Sequence, residues 1–451
     1  MPSLYNARVY DRTLAVGSFW ETTLPPLALE IVPPLLQDET CEVAIIGGGI
    51  TGLSAALQLA AEGQQQVRVL EAGLPAWGAS GRNGGFACIG STWMPHKALM
   101  HKFGLEETRR FYQNQRQGVN LVRQVADAED LAIDAQGDGE IAVAHHPSRW
   151  RSLQSAQDFY TQVAEYPCQL WSTEEMSEQA YRSPQAHGAL WVGVGFGLNP
   201  MKYTRGVLQA VQRRGVAVHG QSPVTAWEKQ GAWHLLHTPG GVLRAQRVIV
   251  ATNGYTPEHL RPDWQGTLLP VLSAIVTTRP LTAAELAAQG WHTETPLFDT
   301  RTLLHYFRRL ADGRLLFGGR GGLVGSAAES DRRRQALIHE LGQMFPAWRS
   351  VEITHFWTGL VCGSTQLTPH VGRLPGDDTV VQAIAFHGNG VAAGTWSGRT
   401  AAQLTTGTLT PQDYSAVYQQ PLKSALLPGL RRWYLRSAYA VAQVADALPS
   451  R

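Results

Sequence analysis

Three glycines, Gly47, Gly49 and Gly52, form a GxGxxG pattern between a short apolar run and an Ala/Leu-rich stretch. In such a pattern the first glycine permits a tight turn, the second lets the backbone approach a pyrophosphate, and the third lets a helix pack closely on a strand. Glu71 lies 19 residues after Gly52, where its carboxylate can accept hydrogen bonds from an adenosine ribose. We therefore predict a dinucleotide site whose phosphates bind at a helix N-terminus.

Two later segments favour FAD over NAD as the dinucleotide. Residues 78–85 (GASGRNGG) are a second Gly-rich loop that carries an arginine, and residues 248–255 (VIVATNGY) end an apolar run in small residues. NAD needs no such second loop, whereas FAD is longer and has a ring that must be held. Residues 387–391 (HGNGV) open a further helix, whose dipole would stabilise the negative charge that a flavin gains with a hydride.

The hydrophobic pattern predicts the elements that position these motifs. Residues 41–47 and 66–72 are apolar runs typical of buried strands, and the helical stretch between them completes a βαβ unit of a parallel sheet. A similar pattern returns at 201–254 and 384–402. We predict an α/β (α+β mixed) fold with a Rossmann-type FAD-binding domain interleaved with a mixed-sheet substrate domain. The predicted parts are an N-terminal arm (1–40), the FAD domain (41–95, 201–258 and 355–415), the substrate domain (96–200 and 259–354) and a C-terminal helical tail (416–451).

Composition excludes several classes of protein. The 451 residues are 44% hydrophobic and 16% charged with a net charge of +2, which rules out a disordered chain and gives no electrostatic footprint for nucleic acid. Four distant cysteines without a CxxC argue against a disulfide scaffold or structural zinc, and the 15 histidines show no metal-ligand spacing. A polar N-terminus and the lack of an apolar run of about 18 residues predict no signal peptide, no transmembrane segment and a cytoplasmic location.

The chain resembles the FAD-dependent D-amino-acid oxidase (DAO) superfamily, and within it the gamma-glutamylputrescine oxidase-like group. The likeness runs nearly from end to end. It is carried by SFW (18–20), GGGITGLSAALQLA (47–60), WGASGRNGG (77–85), ATNGY (251–255), DGRLLFGGR (312–320), WTGLVCGSTQLTPHVGRLP (357–375), HGNGV (387–391) and LRRWYLRSAYA (430–440).

The resemblance implies a set of residues that contact FAD. These residues are Gly47, Gly49, Ile50, Thr51, Gly52, Glu71, Ala72, Ala79, Ser80, Arg82, Asn83, Gly84, Gly85, Phe86, Val224, Ala251, Thr252, Asn253, Gly359, Gly388, Asn389, Gly390 and Val391.

Four side chains are the main candidates for catalysis. Arg82 could lie beside the flavin or a substrate carboxylate, or could fold back and brace its own loop. In related sarcosine oxidases the roof over the flavin supplies substrate-holding groups, which implies such roles for Tyr306 and Arg320. Arg308 is a weaker candidate, because alternate residues of a strand point to opposite faces. His387 could act as an electrostatic partner near the ring or be an ordinary packed histidine.

The predicted reaction is oxidation of a C–N bond of an amine or amino acid by hydride transfer to flavin N5, followed by hydrolysis of the imine. The partners would be that small-molecule substrate and oxygen or another electron acceptor. Sarcosine oxidases have a lysine near the flavin that speeds the reaction with oxygen, but here the corresponding place falls near Leu316, and no lysine lies between Lys229 and Lys423. A dehydrogenase that passes electrons to a quinone or carrier protein is therefore an alternative, and a non-catalytic flavin-binding subunit is another.

Two further expectations concern Cys362 and the tail. Some members of the superfamily attach FAD through a cysteine in this region, but the spacing from Cys362 to Thr368 differs, so we expect non-covalent FAD and a buried thiol. Residues 427–448 are predicted to be helical, with arginines crowded at the start, where they oppose the helix dipole. An acidic surface of the same protein or anionic lipid would stabilise them. We favour docking on the protein and keep a peripheral membrane contact as the alternative.

Overall fold

The structure is a computed structural model of the chain and describes residues 4–447. Residues 1–3 and 448–451, at the ends of the predicted arm and tail, lie outside the described residues. The helices are α1 (Ile50–Ala61), α2 (His96–Ala128), α3 (Trp150–Phe159), α4 (Thr173–Gln179), α5 (Pro200–Arg213), α6 (Ala283–Gln289), α7 (Ala327–Met344), α8 (Gly390–Thr406) and α9 (Arg431–Ala447). The strands are β1 (Glu39–Ile46), β2 (Val67–Leu70), β3 (Phe86–Cys88), β4 (Glu140–Val143), β5 (Cys168–Trp171), β6 (Ala189–Val192), β7 (Gly195–Gly197), β8 (Ala217–His219), β9 (Ala226–Gln230), β10 (Trp233–Thr238), β11 (Gly241–Val250), β12 (Leu268–Pro280), β13 (Leu297–Asp299), β14 (Tyr306–Arg309), β15 (Arg314–Gly322), β16 (Ile353–Ser364), β17 (His370–Leu374) and β18 (Asp377–Ile384).

The first sheet contains the predicted βαβ unit. Its strand order is β17-β18-β11-β1-β2-β8, with β9 and β10 added antiparallel on the first half of β11. β1 pairs in parallel with both β2 and β11, and β11 pairs in parallel with β18. The carboxyl ends of these strands therefore meet at one edge of the sheet, which is where open α/β sheets bind their ligands.

Helices pack on one face of this sheet because glycines let them approach closely. Val43 and Ile45 point into the core under α1, α5 and α8, whereas Ala44 and Ile46 point to the opposite face. A Cβ at Gly398 of α8 would lie 2.2 Å from the carbonyl oxygen of α1 residue Thr51, so only glycine allows this helix pair.

The second sheet is the predicted mixed sheet, in the order β16-β12-β15-β14-β13-β4-β6-β5. Every pairing is antiparallel except that of β13 with β4. One face packs against α7 and a cluster of aromatic side chains that includes Phe307, Phe317, Phe345 and Trp348. The other face is left to cover the carboxyl edge of the first sheet.

The domain boundaries stay a prediction, and two elements bear on them. β16, whose residues from 355 we assigned to the FAD domain, is hydrogen-bonded to β12 in the second sheet. α2, which we assigned to the substrate domain, packs on α8 beside the first sheet. These contacts cross the predicted boundaries at β16 and at α2.

The N-terminal arm consists of short 3₁₀ turns held against both sheets. Ser18 caps the turn Phe19–Thr23 in a capping box with Glu21, and Trp20 is buried under β16 beside Trp357. Among residues 4–447 no helix is long and apolar enough to cross a bilayer.

Candidate active site

A large cavity, of about 1360 Å³, lies between the two sheets. Its floor is the carboxyl edge of the first sheet, its roof is the free face of β12, β14, β15 and β16, and α9 forms part of one wall. Ligand pockets for drug-sized molecules are about 300–1,000 Å³. The cavity therefore has room for a dinucleotide together with a substrate.

The predicted phosphate turn has the geometry that the sequence implies. Gly47 follows β1 with φ +114°, and its N–H donates to the carbonyl of Leu70 at 2.8 Å. Gly49 precedes the first residue of α1, and a Cβ there would lie 2.6 Å from Ser80 Oγ. A Cβ at Gly52 would lie only 1.9 Å from the Gly47 carbonyl oxygen. The turn thus leaves the N-terminus of α1 open to an anion.

Glu71 lies directly after β2, with its carboxylate bound to backbone. Gly48 donates to Oε2 at 2.7 Å, and Gly73 donates to Oε1 at 2.8 Å. Burial raises the pKa of Glu71, and these two N–H groups oppose that rise. Each carboxylate oxygen has a further lone pair, so the group can still accept a hydroxyl hydrogen bond from a ribose.

The loop 78–85 is held in one conformation by its own asparagine and by two tryptophans. Asn83 Oδ1 accepts from the N–H of Gly85 at 2.8 Å, and its amide donates to the carbonyls of Ala79 and Ser80. Trp20 donates to the carbonyl of Asn83 at 2.8 Å, and Trp357 donates to that of Arg82 at 2.7 Å. The arm and β16 therefore fix the loop from outside the cavity.

Arg308, the weaker sequence candidate, is buried behind this loop rather than in the cavity wall. Its guanidinium donates to the carbonyl of Gly84 at 3.0 Å and to that of Leu198. Burial lowers its pKa to about 10, so the side chain stays charged at neutral pH. Gly85 has φ +74°, and a Cβ there would lie 2.0 Å from the Leu198 carbonyl oxygen. Arg308 is thus a positioning residue for the loop.

Arg82 folds back on its own loop. Nε donates to the carbonyl of Trp77 at 2.7 Å, and the guanidinium carbon lies 4.2 Å from the centroid of the Trp77 ring. This geometry corresponds to the bracing alternative. Arg82 also lines the cavity, so contact with a ligand stays a prediction.

The turn before α8 forms a further part of the cavity wall. Ala385 donates to Asn253 Oδ1 at 2.9 Å, and Asn389 donates to the carbonyl of Ile89, so neighbouring segments hold the turn. No side chain caps the N-terminus of α8. Its first N–H groups are therefore available to the oxygen and nitrogen atoms of a flavin ring.

His387 lies in this turn, with φ +53°. Its Nε2 accepts from the N–H of Ser364 at 3.1 Å, and Trp93 contacts the ring edge-on at 4.9 Å between centroids. Burial lowers the pKa of His387 to about 4, so the imidazole is neutral at neutral pH. The electrostatic effect of this side chain on a bound flavin ring would thus be that of a dipole, not of a full charge.

Tyr306 and Arg320 both line the roof of the cavity. The Tyr306 hydroxyl shares a hydrogen bond of 2.8 Å with Ser273 Oγ, and burial raises its pKa to about 12. Its ring packs edge-on against Phe86 at 5.7 Å. Arg320 lies near α9, where its charge acts on the phenol of Tyr439. Their catalytic roles stay predictions.

Cys362 also reaches the cavity, packed beside Leu268 and Ile384. Burial raises the pKa of its thiol, which disfavours the thiolate that attack on a flavin would need.

The structure brings almost all of the predicted contact residues to one cavity. Gly52 and Gly85 stand behind its surface, where they allow close backbone packing. The predicted residues that line the cavity are Gly47, Gly49, Ile50, Thr51, Glu71, Ala72, Ala79, Ser80, Arg82, Asn83, Gly84, Phe86, Val224, Ala251, Thr252, Asn253, Tyr306, Arg320, Gly359, His387, Gly388, Asn389, Gly390 and Val391.

α9 contributes to the cavity wall, which no motif of the sequence predicts. Leu435 and Tyr439 face the cavity. Arg431 binds both carboxylate oxygens of Glu258, with the Nη2–Oε2 distance 2.8 Å, and Asp446 accepts from the N–H groups of Thr302 and Leu303. The helix is therefore docked on its own protein, and the acidic side chain that pairs with its first arginine is Glu258. Contact of its outer face with lipid stays a prediction.

Truncation before Pro428 should lower the melting temperature and expose apolar surface, because α9 would no longer cover the cavity. Loss of apolar burial from one helix is worth several kcal/mol. The measurement is thermal unfolding of the full-length and truncated proteins with and without a hydrophobic dye. Glu258→Gln, which weakens the contact with Arg431 and leaves an amide oxygen for the N–H of Gly266, should have a smaller effect in the same direction. An unchanged melting temperature, together with vesicle binding lost on truncation, would instead support the lipid alternative.

The residues of this cavity fit FAD. The turn at Gly49 admits no side chain, the N-termini of α1 and α8 both open into the cavity, and its volume exceeds that of one small ligand. Among the residues described, no group of His, Cys, Asp and Glu could hold a metal ion.

Comparisons with known proteins find relatives that match most of this chain. The chain is 29% identical to the gamma-glutamylputrescine oxidoreductase of Escherichia coli (strain K12), over 83% of this chain and 85% of that protein. It is also 29% identical to the probable oxidoreductase OrdL of Rhizobium meliloti (strain 1021), over 92% and 96% of the two chains. The crystal structure of glycine oxidase from Geobacillus kaustophilus has the same fold, with a TM-score of 0.69, 19% identity, and coverage of 86% of this chain and 100% of that one.

The family described as DAO, FAD dependent oxidoreductase, matches residues 42–404. This range is most of the chain and includes the predicted phosphate turn at Gly47–Gly52, the loop 78–85 and α8. The chain belongs to the DAO family of FAD-dependent oxidoreductases, and its cofactor is FAD.

Proposed function

We propose that the enzyme oxidises a C–N bond of an amine or amino acid to an imine, which water then hydrolyses. The observation that carries this proposal is the likeness to the Escherichia coli relative, whose name specifies an amine, gamma-glutamylputrescine, and which aligns over 83% of this chain. When bound, FAD supplies the acceptor for a hydride. The chain's own residues then have to bind the amine, orient it and exclude water.

The polar residues of the cavity are suited to those tasks. Tyr306 remains protonated at neutral pH, because its pKa is about 12, and can donate or accept one hydrogen bond. Arg320 can attract a substrate carboxylate from the roof. The uncapped N-terminus of α8 stabilises negative charge at the ring site. None of these groups has to remove a proton from carbon.

The rate of flavin reduction by a saturating amine should rise with pH towards the pKa of that amine. Only the neutral amine has a lone pair that assists loss of hydride, and its fraction rises about tenfold per pH unit well below the pKa. The measurement is anaerobic stopped-flow reduction of the holoenzyme at several pH values with two amines of different pKa. The two profiles should be displaced by the difference in amine pKa. Coincident profiles would assign the titration to a protein group instead.

We propose that FAD is bound without a covalent link, because the buried thiol of Cys362 resists ionisation. Acid or heat should therefore release FAD from the polypeptide.

A dehydrogenase is the second candidate, and one observation favours it. The lysine that speeds oxygen reactions in sarcosine oxidases corresponds to Leu316 or a neighbour, where this chain has no lysine, and Leu316 itself is buried with Phe19, Trp20 and Trp357. Reoxidation of the reduced enzyme by air, compared with reoxidation by a soluble quinone, separates the two candidates. Fast recovery in air supports an oxidase, and recovery only with quinone supports a dehydrogenase.

A further inference from the structure

One acidic side chain in the cavity wall has no part in the roles described above. Glu140 is the first residue of β4 and only 5% exposed, yet it lines the cavity. Its carboxyl accepts hydrogen bonds from the N–H of Ile89 and the thiol of Cys88. No basic side chain of residues 4–447 forms an ion pair with it or acts on its pKa. A buried carboxylate without a cation is costly unless a ligand provides one.

Three rings line the cavity together with Glu140. The ring centroids of His96 and Tyr112 are 5.7 Å apart, those of His96 and Tyr160 are 5.3 Å apart, and those of the two tyrosines are 6.0 Å apart. The charge of Glu140 acts on both phenols. Phe159 stacks on His96 with 3.9 Å between centroids and holds that ring in place.

The group of rings contains no positive charge of its own. Burial lowers the pKa of His96 to about 4, so its ring is neutral at neutral pH. Lys97 also lines the cavity but is exposed at the start of α2. Electron-rich ring faces and a carboxylate are the combination that binds an ammonium group. With no cation present, burial raises the pKa of Glu140 to about 8, and a bound cation would restore the carboxylate.

Glu140 is linked to the proposed ring site through Ile89. The carbonyl of Ile89 accepts from the side-chain amide of Asn389, which stands at the N-terminus of α8, while the N–H of Ile89 donates to Glu140. One residue therefore joins the carboxyl to the turn that would hold the flavin. A substrate with its reacting carbon at the ring can extend a second group towards Glu140.

We propose that Glu140, with Tyr112, Tyr160 and His96, binds a second cationic nitrogen of the substrate, so that the substrate class is a diamine-type molecule rather than a simple monoamine. The inference rests on the proposed oxidation of C–N bonds. An ammonium group at this place would pair with the buried carboxylate and contact the rings, whereas the methyl end of a monoamine would leave the carboxylate without a cation.

The test compares straight-chain α,ω-diamines with monoamines of equal carbon number as reductants of the holoenzyme under anaerobic conditions. The wild type should prefer the diamine of best length by about tenfold or more in the second-order rate constant of reduction, mostly through tighter binding. Glu140→Gln keeps the shape and removes the charge, so this ratio should fall to near one. Glu106→Gln makes the same charge change on an exposed position of α2 and should keep the wild-type ratio.

FAD content and melting temperature check that each variant is folded, and Tyr160→Leu, which removes one ring and keeps the carboxyl, should reduce the ratio partly. Equal reduction by diamines and monoamines in the wild type, which needs no variant, would overturn this inference and leave the proposed function standing. If folded Glu140→Gln kept the wild-type preference for the diamine, this inference would also be overturned and the proposed function would stand. Reduction by no amine of either kind would overturn both.

Discussion

Replacing Gly49 with valine should yield a colourless protein, with FAD content falling from one per chain to less than about one tenth. A Cβ at this position would lie 2.6 Å from Ser80 Oγ, at the N-terminus of α1 where the pyrophosphate would bind. The branched side chain would therefore both disturb the turn and occupy the phosphate position. The measurement is visible absorbance per chain after purification, with the released cofactor identified.

Gly372→Val is the matched control for that substitution. Gly372 lies in the edge strand β17, where a Cβ would meet His370 at an ordinary 3.4 Å, so FAD content should not change. A yellow Gly49→Val protein with full FAD content would show that the phosphates bind elsewhere. A wild type that carries NAD instead of FAD would contradict the assignment of the cavity.

Replacing Arg308 with methionine should both destabilise the protein and weaken FAD binding. The carbonyls of Gly84 and Leu198 would lose a charged donor while remaining buried, at a cost of about 1–3 kcal/mol each, reduced by relief of the buried charge. Because Gly84 belongs to the loop 78–85, the loop would loosen, and we expect FAD to bind about tenfold more weakly or worse. Thermal unfolding and titration of apoprotein with FAD measure the two effects.

Arg309→Met provides the comparison one residue along β14. Arg309 pairs with Glu294 at the surface, and exposed ion pairs are worth about 0–1 kcal/mol, so both effects should be small. Equal losses in the two variants would mean that Arg308 does not position the loop.

The floor of the site could be predicted from the sequence because its determinants are local. The spacing of Gly47, Gly49 and Gly52 and the strands on either side specify a turn by backbone geometry alone, and β1, α1 and β2 lie where the pattern predicts them. The fold class was likewise predicted correctly, since alternating buried runs and helices favour few topologies.

The roof and walls could not be predicted in the same way, because long-range packing determines them. Period two along β14 places Arg308 opposite Arg309, but the sequence does not say which face is buried. No pattern in the sequence distinguishes Glu140 from the other carboxylates. Its position beside Cys88 depends on the packing of β4 and β3. The hydrophobic pattern predicted the helix α9, whereas its position over the cavity depends on Glu258, more than 170 residues away.

Anaerobic mixing of the purified holoenzyme with separate amines, amino acids and 2-hydroxy acids tests the central claim most directly. The readout is loss of the visible absorbance of oxidised flavin. We expect at least one diamine or other amine to bleach the flavin after mixing. We expect 2-hydroxy acids to leave the flavin oxidised. Bleaching by 2-hydroxy acids and by no amine would contradict oxidation of a C–N bond, and a flavin that no compound reduces would indicate a non-catalytic flavin-binding protein.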